Sequence, residues 1–292
     1  MPELPEVETI RKGLQKAIIG KTIAEVEVRV PKLFHGNVED IVGKKVVDVN
    51  RRAKQIIIDI EGDKDLLIHL KMTGQLIYRE KCEMRDEKCG IKNQIAGGHP
   101  SKDWFENLPN STTHIIFDFS DGSKLFFNDM RKFGWIKVFD SKTLANKLTE
   151  ELGIEPFDKE FTAEILAKII ERKPNWNIKK ILTDQTLISG IGNIYADEAL
   201  YWAKILPERR GKDIKDEEIT KLRDSVIKSL EVGLKFGGSS ENTYVKIDGS
   251  RGRAQEHSQV YGREGKPCTC GGIVIKIRLN GRGTHFCPSC QK

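Results

Sequence analysis

The apolar residues of this chain change their repeat near its middle, and that change limits the architectures open to it more than any other feature. Through residue 139 apolar positions mostly alternate with polar ones, whereas beyond residue 160 they recur every three or four residues. A strand sends successive side chains to opposite faces and a helix returns one face every 3.6 residues, so the first pattern predicts sheet and the second helix. Ahead of the alternating region, Val7, Ile10, Leu14, Ala17 and Ile18 keep helical spacing, with Pro5 suited to a first turn and Gly20 to a stop. One helix is expected over 5–19. Strands are expected over 23–30, 47–49, 56–60, 66–70, 113–119, 125–127 and 135–139, the fifth and sixth joined by an Asp121-Gly122 turn. The first half is then most economically a two-layer β-sandwich with one N-terminal helix. Helices over 163–170, 178–183, 194–203 and 216–232 make the second half a small helical domain ending in a Cys-rich tail, and the fold class α+β.

The 292 residues suit roughly two domains. Residues 1–150 form the first, interrupted at 81–112 by a surface insertion that carries Gly97-Gly98, Pro100, Pro109, Cys82 and Cys89, the two cysteines without an assigned role. A linker over 151–156 leads to a helical domain at 157–259 and a finger at 260–292. With 38% hydrophobic residues and 26 Gly, the composition excludes a disordered or collagen-like chain, and the longest apolar runs fall far short of a membrane span. Glu3, Glu6 and Glu8 stand where a secretory signal places basic residues, so a reducing, cytoplasmic location is expected. The net charge of +6 is modest, but from residue 246 onward Lys and Arg far outnumber Asp and Glu, which suggests a polyanionic partner.

Cys268, Cys270, Cys287 and Cys290 give C-x-C and C-x-x-C pairs a hairpin's length apart. Four thiolates at this spacing suit one structural zinc per chain, although the first pair is one residue tighter than usual. A disulfide framework is the competing reading, and it conflicts with the reducing location. Between the pairs, Arg282 in Gly281-Arg282-Gly283-Thr284 is read as the tip of a turn, where its planar fork suits phosphate oxygens; such a turn alone is more often merely solvated. Ser189-Gly190-Ile191-Gly192-Asn193 leads into a helix, and amides exposed at a helix start attract phosphate. At the chain's start, loss of Met1 would expose the secondary amine of Pro2. An α-amino group ionises at about pH 8, so part of it is nucleophilic at neutral pH and able to attack a sugar aldehyde carbon, with Glu3 and Glu6 placed to move protons. The plainer reading is that these acids only begin a helix.

The opening Met1-Pro2-Glu3-Leu4-Pro5-Glu6-Val7-Glu8-Thr9 resembles the start of the bacterial formamidopyrimidine-DNA glycosylases, also called 8-oxoguanine DNA glycosylases. The resemblance continues in order through Arg52-Ala53-Lys54, His69-Leu70-Lys71-Met72, Asp129 to Gly134, Gly190 to Glu198, Gly237-Gly238-Ser239, Val260-Tyr261-Gly262-Arg263 and the terminal ribbon. It implies a bifunctional base-excision enzyme with a helix-two-turn-helix domain and a zinc finger, which removes oxidised purines from double-stranded DNA and then cleaves the strand by β,δ-elimination. Carried over by residue, it implies Pro2 as Schiff-base nucleophile, Glu3 as acid/base and Glu6 as its support. Lys54 takes DNA contact and proton transfer in β-elimination, and Arg282 takes phosphate binding and δ-elimination. Asn193 is implied to contact phosphate, and His69, His114 and Lys132 to face DNA. Met72, Arg131 and Phe133 would fill the gap left by an extruded nucleotide, a sensible use of apolar wedges because flipping costs a few kcal/mol. For Met72 and Phe133 the competing reading is ordinary core packing.

Residues 239–255 resemble the loop that closes over the damaged base, with Ser239, Thr243 and Tyr244 matching. Met130 stands where the family often has Pro or Val, and Lys173-Pro174-Asn175 replaces a more basic stretch. A monomer is expected, since one chain carries every required part, associated with the nucleoid when on DNA. Two alternatives remain: an endonuclease VIII-type glycosylase for oxidised pyrimidines, disfavoured by Leu4 and the Arg131 to Gly134 motif, and a non-catalytic damaged-DNA-binding protein, disfavoured by the intact Pro2, Glu3 and Lys54 set.

Overall fold

The computed structural model describes residues 1–81, 94–97 (backbone only), 108–239 and 252–292. Cys82, Cys89, Thr243 and Tyr244 lie outside the described residues. Two compact units emerge, one of Met1–Leu148 with Gly237–Gly252, the other of Thr149–Phe236 with Arg253–Lys292.

In the first unit, helix α1 (Leu4–Ile18) begins with Pro5 in its first turn and with the Glu6 side chain accepting the Glu3 N–H. Its stop at Ile19 is followed by Gly20 at φ 81, a left-handed conformation that costs glycine little. The strands are β1 (Ile23–Val28), β2 (Phe34–His35), β3 (Val46–Arg52), β4 (Gln55–Ile60), β5 (Lys64–His69), β6 (Gly74–Arg79), β7 (Gln94–Gly97), β8 (Thr113–Phe119), β9 (Lys124–Asp129) and β10 (Trp135–Asp140). They form two five-stranded sheets, ordered β1-β8-β9-β6-β7 and β2-β10-β5-β4-β3, antiparallel except where β10 meets β2. Alternation does what the sequence implied: Ile56, Ile58 and Ile60 of β4 point one way, to meet Leu76 and Tyr78 of β6, Phe117 of β8, and Val7, Ile10 and Leu14 of α1 in one core. Each such side chain removed from water contributes roughly 1.5–3 kcal/mol, so this cluster is the main source of stability.

Four elements depart from expectation, and two of them are strands β2 and β6, where no strand was expected. Part of the predicted surface insertion is strand β7, which pairs antiparallel with β6 at the sheet edge. A helix not anticipated, α2 (Ser141–Glu151), follows β10 and runs to the start of the expected linker. Only Leu144 and Leu148 of α2 are buried, a stripe too sparse to register as helical period.

The second unit contains α3 (Ala163–Glu171), α4 (Ile178–Thr183), α5 (Asn193–Ala203), α6 (Asp216–Lys235) and a ribbon of β11 (Ile275–Leu279) and β12 (Arg282–Phe286). Thr162 and Asn177 cap α3 and α4 by accepting the N–H groups of Ile165 and Lys180. Helix α6 runs almost a turn beyond the predicted end at 232. The ribbon's turn is Asn280-Gly281, both at positive φ (50 and 76), which matches the strand twist. Arg282 therefore opens β12 opposite Leu279, and is exposed beside the turn rather than at its tip. Among the described residues no helix is long and apolar enough to cross a membrane.

Candidate functional site

Around the N-terminus of the first unit, polar groups are buried together. Pro2, Glu3 and Glu6 are all shielded, and Glu6 uses both carboxylate oxygens: Oε2 accepts the Glu3 N–H at 2.8 Å and Oε1 the Ser239 N–H at 2.7 Å. One carboxylate thus fixes both the first turn of α1 and the backbone at Ser239, whose remote segment belongs to the same compact unit. Lys54 lies in the two-residue turn between β3 and β4, after Ala53 at φ 52, and only 4% of its surface is exposed. A buried ammonium is kept only with local compensation, and ionisable groups buried in this way cluster where protons or anions are handled. His69 is close enough to feel it. Burial first, then the charges of Lys71 and Lys54, hold the His69 imidazole down to about 3. Its Nδ1 accepts the Lys71 N–H at 3.0 Å, which leaves a neutral ring with its proton on Nε2.

On the same unit, two loops form a platform around the Asp129 carboxylate, which is wholly buried. Oδ2 accepts the N–H groups of Phe133 (2.8 Å) and Gly134 (2.6 Å), while Oδ1 accepts that of Arg131 (3.1 Å) and the hydroxyl of Thr73 from the other loop. Gly134 is required here, because a Cβ would come within 2.9 Å of Phe127 Cζ and 3.1 Å of Asp129 Oδ2. What this scaffold presents is apolar and outward: Met72 is 43% exposed and Phe133 55%, with the Arg131 guanidinium 4.7 Å above the Phe133 ring. Lys132 is exposed beside them, at φ 55. Core packing does not explain Met72 or Phe133. His114 is placed differently, buried with Nε2 2.7 Å from the Asp129 carbonyl oxygen, so it supports the platform from beneath.

In the second unit, Asn193 opens α5 after Gly192, and its Nδ2 donates to the Gly283 carbonyl at 2.8 Å. The ribbon is also anchored by a buried ion pair that sequence reasoning missed: Lys179 Nζ lies 2.6 Å from Asp197 Oδ1 and donates to Thr284 Oγ1 at 2.8 Å, while Asp197 Oδ2 accepts the His285 N–H at 2.8 Å. Next to Asp197, Glu198 accepts three successive N–H groups, from Gln259, Val260 and Tyr261. Burial nevertheless pushes its carboxyl up. Sequence offered a faint signal for both acids, since adjacent carboxylates within the otherwise apolar α5 need partners.

The four cysteines meet at the ribbon's base, their Sγ atoms all within 4.8 Å of one another. Cys270 and Cys287 are 3.6 Å apart and Cys268 and Cys290 3.9 Å, separations that a tetrahedron of thiolates around zinc produces. The all-sulfur donor set fits structural zinc despite the C-x-C spacing, because Gly271 at φ 86 lets the chain turn sharply after Cys270.

Comparison with known proteins agrees along the whole chain. Residues 1–136 match the formamidopyrimidine-DNA glycosylase N-terminal domain, 152–245 that enzyme's H2TH domain, and 265–292 the zinc finger found in FPG and IleRS. The formamidopyrimidine-DNA glycosylase of Pelotomaculum thermopropionicum is 40% identical, covering 100% of this chain and 99% of its own. The chain belongs to the formamidopyrimidine-DNA glycosylase family. The glycosylase of Listeria innocua is 39% identical over 100% of both chains. Among solved structures, Lactococcus lactis Fpg in complex with DNA containing an abasic site has a TM-score of 0.83 at 33% identity, over 99% of each chain. A mutant of the same Lactococcus lactis enzyme with DNA containing Fapy-dG has a TM-score of 0.84 at 35% identity, over 100% of each chain. The helix-two-turn-helix domain and zinc finger expected from the resemblance are therefore present, as is the α+β fold.

Proposed function

We propose that this glycosylase excises oxidised purines, 8-oxoguanine and formamidopyrimidines, from duplex DNA and cleaves the abasic strand, with Pro2 as the covalent nucleophile. The observation that carries the reading is the pairing, within one compact unit, of a shielded Pro2–Glu3–Glu6 start and buried Lys54 with an outward Met72–Arg131–Phe133 platform. A wedge of that kind has a use only where a nucleotide must leave the stack.

With Met1 removed, the Pro2 amine attacks C1′ of the flipped nucleotide while Glu3 protonates the opening sugar, and the oxidised base departs with its bonding electrons. Covalent catalysis splits one difficult displacement into easier steps. The iminium acidifies the C2′ proton, which Lys54 accepts in its neutral amine form; its loss breaks the C3′–O bond to the 3′ phosphate, and a second elimination releases the 5′ phosphate. Glu6 holds the first turn in place. Neutral His69 offers Nε2–H as a donor to a DNA oxygen without adding another buried charge. Arg282 and Asn193 bind backbone phosphate, Arg282 aiding the second elimination, and Lys132 adds charge near the platform. Zinc supplies no chemistry to the reaction; bound by Cys268, Cys270, Cys287 and Cys290, it shapes the ribbon. His114 acts on DNA through the platform, and Ser239, Thr243 and Tyr244 belong to the segment that covers the lesion. The protein works as a cytoplasmic monomer, with functional divisions at 1–150, 157–259 and 260–292.

Borohydride trapping on an abasic-site duplex tests this. Wild type is expected to form a covalent adduct that Pro2→Gly loses, and absence of an adduct with wild type would overturn the proposal. A strand-cleavage comparison of 8-oxoguanine with oxidised-pyrimidine duplexes then reads the substrate class, with faster cleavage of the purine lesion expected.

A further inference from the structure

The C-terminus of α5 reaches the cysteine cluster through two side chains for which the glycosylase chemistry has no use. Tyr201, buried in the last turn, has its hydroxyl 3.7 Å from Cys268 Sγ and 2.7 Å from Thr269 Oγ1, the single residue between the two cysteines of the short pair. Lys204, which ends the helix at φ 63, donates from Nζ to Cys290 Sγ at 3.6 Å and lies 3.9 Å above the Tyr201 ring. The surrounding backbone holds both in place: the Lys292 N–H donates to the Lys204 carbonyl at 2.9 Å, and the Gln291 side chain joins the Cys287 N–H to the Ile205 carbonyl.

Four thiolates around one divalent zinc leave the site with two excess negative charges. Donors to the sulfurs and a nearby cation disperse that charge, and outer groups of this kind tune both metal retention and ligand basicity. With Cys268 as thiolate the proton order along this chain is determined: Thr269 donates to the Tyr201 oxygen, and Tyr201 donates to Cys268. Lys204 supplies charge and a donor to Cys290, on the opposite cysteine pair.

We propose that Tyr201 and Lys204 are outer-sphere positioning residues of the zinc site, which hold and electronically quiet Cys268 and Cys290 so that a C-x-C pair retains its metal. The proposal rests on the zinc assignment, not on the identity of the DNA lesion, so failure of the glycosylase mechanism leaves it standing.

The test uses the full-length protein loaded with zinc and, separately, with Co²⁺. Tyr201→Phe and Lys204→Met should each transfer zinc to a chromophoric chelator about tenfold faster than wild type, and Lys204→Arg should restore slow release. In the Co²⁺ forms, removing either donor leaves the sulfurs more electron-rich, so the sulfur-to-cobalt charge-transfer band should move to lower energy. A merely structural role would not move that band. Variants that melt like wild type, with unchanged release rates and spectra, would overturn the proposal, as would wild-type protein that takes up neither metal.

Discussion

Replacing Asp129 by Ala separates the contribution of the platform from that of the covalent centre. The substitution strips an acceptor from the N–H groups of Arg131, Phe133 and Gly134 and from the Thr73 hydroxyl. Arg131 and its loop neighbours are exposed, so water rehydrates part of this set, but the Gly134 bond is buried and that of Phe133 partly so. At about 1–3 kcal/mol for each buried donor left unpaired, the expected loss of stability is about 3 kcal/mol, read as a lower midpoint in urea unfolding with unchanged slope. The catalytic effect should depend on substrate. On a duplex the loosened Met72–Arg131–Phe133 platform no longer offsets extrusion, and a deficit of about 1.4–2.8 kcal/mol lowers kcat/KM by about 10–100-fold. On a single-stranded abasic oligonucleotide no partner strand closes and no gap needs filling, so strand cleavage should change by less than about threefold. Cleavage kinetics on the two substrates, run under conditions where the variant is folded, decide the matter. Equal losses on both, or a stability change below about 1 kcal/mol, would refute the argument that Asp129 builds the wedge.

The Asp59 carboxyl is pushed up to about 6, chiefly by burial and then by Asp65 opposite it in the β4–β5 pair. A raised acid contributes its stability fully below the ordinary aspartate value and loses it as pH rises through about 6, so Asp59→Asn should stabilise at pH 8 and converge with wild type below pH 4; after allowance for partial exposure the gain is about 1 kcal/mol by thermal melts. In the second unit, Lys179→Met alone leaves Asp197 buried without its cation and should cost about 3–5 kcal/mol in urea unfolding, whereas Lys179→Met with Asp197→Leu should recover only part of that loss, because the buried His285 N–H then lacks its acceptor. Affinity for undamaged duplex should fall steeply with salt, and Arg282→Gln should reduce the slope of log K against log salt by about 0.9; a flat wild-type dependence would contradict phosphate binding.

Fold class was legible because period-two and helical patterns imply different elements, and most predicted elements coincide with observed ones: 178–183 is α4, and 113–119 is β8. Helix α2 was illegible because two buried leucines on an otherwise polar surface make no readable stripe. Strand β7 was hidden because a four-residue edge strand that ends in Gly97 needs its partner β6 to define it. The four cysteines were legible as metal ligands from spacing alone, and the structure brings their sulfurs together. Arg282 was recognised, but the Asn280-Gly281 turn beside it was passed over although that dipeptide carries its own hairpin signal.

The sequence by itself determined most of the sandwich strands, the helices of the second unit, the thiolate set and the chemical identity of the Pro2 terminus, because each depends on local periodicity or on residue type. Only the tertiary structure decided that Asp129 carries the platform, that Glu6 reaches Ser239, that Lys179 and Asp197 anchor the ribbon, and that Tyr201 and Lys204 face the cysteines. Those contacts join residues far apart in the chain, and a carboxylate or a lysine looks the same in sequence whether it meets water or a buried partner. Burial and geometry select between those fates, and both arise only once the sheets and helices have packed.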